Sequence, residues 1–145
     1  MIVVGIDPGH GGAIAFLDGT NSRVLDMPVV GKDINFPELM SLMWKSVDHA
    51  YVERVSAMPG QGVTSMFTFG RAYQACLDAC AGTNIPYTLV TPAVWKRRAG
   101  LIGKDKEASR AMALRLFPRL AGDLARKKDC GRADALLIAR FGQEK

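Results

Sequence analysis

Three carboxylates stand where a chain can hold them rigidly. Asp7 follows the run Ile2-Val3-Val4-Gly5-Ile6 and precedes Pro8-Gly9. A run without one polar side chain reads as a central strand buried on both faces, and Pro-Gly then turns the chain away from its end. Glu53 directly follows Ala50-Tyr51-Val52, a second short apolar strand. Asp134 leads Leu137, Ile138 and Phe141 at i+3, i+4 and i+7, the stripe by which a helix over 132–142 would face a sheet. Each residue also has a plain structural use. Asp7 could cap its own turn, Glu53 could pair with Arg54, and Asp134 would sit in a first helical turn whose N–H groups and dipole favour negative charge. Carboxylates ending neighbouring strands nonetheless repel unless a cation or proton intervenes, and a buried unpaired carboxylate is costly. Two strand ends and a helix start describe an oxygen cage for Mg²⁺ or Mn²⁺. With phosphate oxygens as further ligands, such a cage suits two-metal hydrolysis of a phosphodiester.

The distribution of charge favours a polyanionic partner. The chain carries +5 overall, but residues 1–94 hold five Lys/Arg against eight Asp/Glu, and residues 95–145 hold fourteen against six. A basic C-terminal third on a slightly acidic body is suited to a DNA or RNA backbone. Lys96, Arg97, Arg98, Lys104, Lys106 and Arg110 are the residues expected to meet it. A solvated basic face without a ligand is the alternative, and charge alone does not choose between them.

The elements that must position these residues follow from periodicity and turn chemistry. Strands are predicted over 2–6, 12–17 and 23–28, the last two separated by Asp18-Gly19-Thr20-Asn21, which makes a meander. Phe36, Leu39, Met40, Met43, Trp44 and Val47 form one helical stripe, with Asn35 and Glu38 as a capping box. A strand over 50–52 comes next, then a helix over about 64–81 with Gly82 as its stop, a strand over 87–90 closed by Thr91-Pro92, and helices over about 105–117 and 132–142. The order β-β-β-α-β-α-β-α-α predicts an α/β chain with a mixed five-stranded sheet flanked by helices, as in the ribonuclease H-like fold.

Length and composition bound the rest. At 145 residues with 48% apolar and 23% charged residues, the chain reads as one globular domain over 1–145. No apolar run approaches the ~18 residues of a membrane span, and no signal-peptide pattern opens the chain. Cys76, Cys80 and Cys130 are too few for a disulfide framework, so a reducing cytoplasm is expected. Cys76 and Cys80 at i, i+4 lack two further soft ligands and read as packing. His10 and His49 have no evident partner. Trp95, beside Lys96-Arg97-Arg98, could stack on a base or anchor the core.

The chain resembles the RuvC family of Holliday junction resolvases, especially its short bacteriophage-type members. The resemblance is carried by Gly5-Ile6-Asp7-Pro8-Gly9, by Tyr51-Val52-Glu53 with Met58-Pro59-Gly60-Gln61-Gly62, and by Thr91-Pro92-Ala93-Val94-Trp95-Lys96. It continues in Lys104-Asp105-Lys106-Glu107 and Arg132-Ala133-Asp134-Ala135-Leu136-Leu137. It implies a homodimeric endonuclease with two Mg²⁺ per site, for which Mn²⁺ can substitute. Paired symmetric nicks in a four-way DNA junction would leave religatable 5′-phosphate and 3′-hydroxyl ends. Asp7, Glu53 and Asp134 would hold the metals, Lys96 and Lys106 would bind phosphates near the cut with Lys106 the catalytic contact, and the helix over 64–81 would form the dimer. If the gene is phage-encoded, the setting is the cytoplasm of the bacterial host.

Two departures stand out. The family often has a fourth ligand three residues before the last aspartate, where this chain has Gly131; Asp129 can substitute only if the helix begins after it. The family also often has an aromatic wedge just after the strand glutamate, where this chain has Ser56 and Met58, with Phe67 and Phe69 further on. Broader cleavage of branched DNA and an inactive junction-binding module are therefore alternatives. A nucleotide-binding phosphotransferase built on Gly9, Gly11 and Gly12 would need a second enclosing domain, so no nucleotide cofactor is expected.

Overall fold

The computed structural model describes residues 1–44 and 47–145. Its main sheet has five strands, in the order Asn21–Asp26 (β3), Ala13–Asp18 (β2), Ile2–Asp7 (β1), His49–Glu53 (β6) and Tyr87–Val90 (β7). β1, β2 and β3 form the antiparallel meander; β6 and β7 extend it in parallel with β1. The mixed sheet is the predicted one, with boundaries moved by a residue or two. A separate two-stranded hairpin of β4 (Val29–Val30) and β5 (Asp33–Ile34), absent from the sequence reading, turns at Gly31 with φ +62°.

Helices cover both faces. Val4, Ile6, Ala50 and Val52 point to α1 (Phe36–Met43) and α2 (Val63–Gly82), where they meet Leu39, Met43, Cys76 and Cys80. Alternation sends Gly5 and Tyr51 to the other face, against α5 (Cys130–Gln143). A methyl group on Gly5 would lie 2.3 Å from the Ala135 carbonyl oxygen, so the absent side chain is what lets α5 press onto β1. α4 (Lys106–Leu116) packs beside α5, its N-terminus capped by Asp105.

Four expectations are corrected. α1 ends at Met43 rather than running through Val47, which lies outside the helix; 45–46 fall outside the described residues. Asn35 does cap it, accepting from the Glu38 N–H, while the return contact goes from the Asn35 amide to the Glu38 carboxylate. An additional helix, α3 (Pro92–Ala99), follows β7 directly. Its signals are Pro92 at the first turn and Gly100 in the left-handed conformation at φ +72°, but Lys96-Arg97-Arg98 obscures its short apolar face. Finally, α5 begins at Cys130, straight after a 3₁₀ turn over Lys127–Asp129, so Asp134 lies beyond the first turn. The helix-start explanation of Asp134 is thereby removed. No helix among the described residues is long and apolar enough to cross a membrane.

Candidate active site

The sheet register builds the centre. Ile6 pairs with Val52 across the parallel β1–β6 ladder, so Asp7 and Glu53 come next to each other at the carboxyl ends of two central strands. Both face α5: a Cβ on Gly131 would stand 3.4 Å from Asp7 Oδ2, and Tyr51, two residues before Glu53, packs against Gly142. Asp134 is one turn further along α5 from Gly131. Gly12 closes the loop behind Asp7, its N–H donating to the Gly9 carbonyl at 3.0 Å; a side chain there would collide with the Asp7 backbone.

Burial raises all three carboxyls, and neighbouring carboxylates add to it at Asp7 and Asp134. Burial, then Glu53, then Asp134 hold the Asp7 carboxyl well above its ordinary value, against the pull of Lys106 and Lys96. Burial raises Glu53, opposed by a hydrogen bond from Trp95 and by Lys96. Asp134 is pushed up to about 6 by burial and then Glu53; Lys96, a hydrogen bond with Ser109 and Lys106 oppose this. Three hard oxygen donors made hard to ionise, first by burial and for Asp7 and Asp134 also by a neighbouring carboxylate, are the donor set that a small divalent cation relieves. Among the described residues, no three His, Cys, Asp or Glu donors are already gathered at one ligating point. Three oxygen-donor carboxylates are the hard ligand type that Mg²⁺ or Mn²⁺ prefers.

Lys96 and Lys106 are the cations of this centre, one on α3 and one opening α4. Arg97 and Lys104 are exposed. Arg98 is turned toward Glu144 at the end of α5, at 3.4 Å. Arg110 is occupied within the protein, donating to Glu107 and to the Leu124 and Ala125 carbonyls. Asp129 is also withdrawn. Its carboxylate is 2% exposed, accepts from the Arg126 backbone and guanidinium at 2.8 Å, and has Arg132 at 3.9 Å. Hydrogen bonds from Arg126 hold its carboxyl below the ordinary value, and the structure pairs it with Arg126 rather than with the three carboxylates.

Cys76 and Cys80 are core, their thiols raised to about 12 by burial. Phe69 packs on Gly9, where a Cβ would lie 3.2 Å from its ring, and with Met58, Met66 and Pro92 lines a cleft of about 430 Å³ beside the centre. Phe67 is 69% exposed on α2. The connection sequence reasoning missed is the Trp95 N–H on Glu53. Its donor comes from a helix brought to the strand end by tertiary packing.

A mixed five-stranded sheet with carboxylates at two parallel strand ends and on the facing helix defines a ribonuclease H-like fold of the RuvC type. Thermus thermophilus RuvC has this fold: one solved structure matches with a TM-score of 0.61 at 17% identity, covering 99% of this chain and 96% of that one. A second, T. thermophilus RuvC in complex with Holliday junction substrate, gives 0.59 at 19% identity, covering 96% and 90%. The chloroplast Holliday junction resolvase MOC1 of Chlamydomonas reinhardtii is 38% identical over 94 residues, 64% of this chain. Those residues span 11% of the length of that resolvase. No protein-family profile matches the chain.

Proposed function

We propose that this chain is a Mg²⁺-dependent, structure-selective DNA endonuclease that resolves four-way junctions by paired symmetric nicks. The observation that carries this reading is the convergence of Asp7, Glu53 and Asp134 on one face, each raised in pKa, with Lys96 and Lys106 beside them. Asp7, Glu53 and Asp134 would hold the metal; when bound it would supply a water-derived nucleophile and charge stabilisation at phosphorus. The chain's own part is to bring the scissile phosphate to those carboxylates. Lys106, at the exposed start of α4, is the phosphate contact at the cut, and Lys96 supports it from α3. Arg97 and Lys104 extend the basic track along the DNA.

A twofold dimer would place two such centres on the two strands that must be cut. Val63 and Phe67, 87% and 69% exposed on one side of α2, provide an apolar surface for it. The short, phage-type character and a cytoplasmic setting belong to the same proposal, as does trimming of branched phage DNA. Loss of the gene should then leave branched DNA unresolved, and unchanged branching would refute that role.

Cleavage of labelled four-way, three-way, flap and linear duplex DNA with Mg²⁺ tests the activity, with Asp134→Asn as control. Paired symmetric nicks confined to the four-way junction and absent from the variant are expected. Cutting of every branched substrate would make the chain a general debranching nuclease. Tight junction binding without cleavage in either Mg²⁺ or Mn²⁺ would leave a binding module.

A further inference from the structure

Trp95 is 1% exposed and packs in the cluster that holds Leu137, Ile138 and Phe141 of α5. Apolar packing accounts for its rings but not for the direction of its one polar atom. Its Nε1–H donates to Glu53 Oε2 at 2.7 Å, and no second side-chain donor to Glu53 occurs among the described residues. An indole N–H is donor-only and uncharged, so it holds a carboxylate in place without neutralising it. A lysine or arginine at the same point would compete with a divalent cation for the same charge. Lys96, the next residue, has its Nζ 5.5 Å from the Trp95 ring centroid and acts on all three carboxylates. One turn of α3 therefore carries both a neutral clamp and a cation to the same centre.

We infer that Trp95 is a positioning residue: its buried N–H clamps one oxygen of Glu53 and leaves the other to take a divalent cation with Asp7 and Asp134. The inference rests on the metal-dependent reading of this centre. Removing such an outer partner of a metal ligand typically lowers metal affinity about 10–100-fold.

Calorimetric titration of the DNA-free full chain with Mn²⁺, comparing the unaltered protein with Trp95→Phe, is the direct test. The variant keeps an aromatic ring in the cluster and loses the donor. Its Mn²⁺ affinity should fall by about tenfold or more, and the Mg²⁺ concentration for half-maximal junction cleavage should rise by a similar factor. Its affinity for a four-way junction without divalent cation should be unchanged. Equal Mn²⁺ affinity in the two proteins would overturn the positioning role. No Mn²⁺ binding by the unaltered chain, with or without junction, would instead overturn the metal reading beneath it.

A second measurement does not require Trp95→Phe to fold. Trp44→Phe leaves Trp95 as the sole tryptophan, because the chain has two. Mg²⁺ should shift its emission, and Glu53→Gln in that background should abolish the shift. Unchanged emission at a Mg²⁺ concentration that supports cleavage would overturn the clamp.

Discussion

Asp134 shows most directly what burial, reinforced by Glu53, does to a carboxyl of this centre. Its carboxyl sits at about 6 against an ordinary 3.8, so between those values the folded chain keeps a proton that the unfolded chain has released. This group's contribution therefore falls as pH rises from the lower value through the upper one, by on the order of 3 kcal/mol. Denaturant unfolding should show the unaltered protein less stable at about pH 8 than at about pH 5, with Asp134→Asn reducing that difference and Asp7 and Glu53 sustaining the rest. Mg²⁺ should raise the melting temperature more at the higher pH, where the carboxylates must be charged to bind it. Asp7→Asn, which removes charge but little volume, should fold and bind junction DNA while cleavage falls by about a hundredfold or more. Lost folding or lost binding would assign Asp7 a structural role.

At the scale of elements, the contact of α5 with β1 decides whether Asp134 meets Asp7. Gly5 permits it: a methyl group there would lie 2.3 Å from the Ala135 oxygen and 2.4 Å from the Ala139 nitrogen, both backbone atoms. Gly5→Ala should cost about 1–3 kcal/mol in urea unfolding, with cleavage falling further than DNA binding as α5 is displaced. Wild-type stability and activity would show that the helix relaxes freely and does not set the site. Much of this element-level picture was legible beforehand. β1 and β6 announced themselves by apolar runs ending in Asp7 and Glu53, and α2 by the spacing of Phe69, Tyr73, Cys76 and Cys80. α3 was not legible, because eight residues containing Lys96-Arg97-Arg98 show little apolar period, and only docking against α5 reveals Trp95 as its buried face.

For the whole molecule, the +8 balance of residues 95–145 becomes a basic surface only where helices place its charges outward. Lys96→Ala and Lys106→Ala should each weaken junction binding and reduce the slope of log affinity against log salt by about 1. Arg110→Ala should leave that slope unchanged and lower stability instead, since its guanidinium holds Glu107 and two loop carbonyls. Sedimentation should report a dimer for the unaltered chain and a monomer for Phe67→Asp; a monomeric unaltered chain would refute the proposed dimer.

The sequence by itself determined the carboxylate trio, because the positions of Asp7 and Glu53 after apolar runs and of Asp134 on an apolar stripe are local properties that periodicity exposes. It also determined the meander and the mixed sheet, whose strands and turns carry their own signatures. Tertiary structure alone decided which charges are free. Asp129 and Arg110 look no different in sequence from Asp134 and Lys106, yet Arg126 takes up the first and Glu107 with two carbonyls the second. The meeting of Trp95 with Glu53, 42 residues apart, was likewise settled only by packing. Periodicity reports which face a residue occupies, whereas hydrogen-bond partners depend on which faces the folded chain brings together.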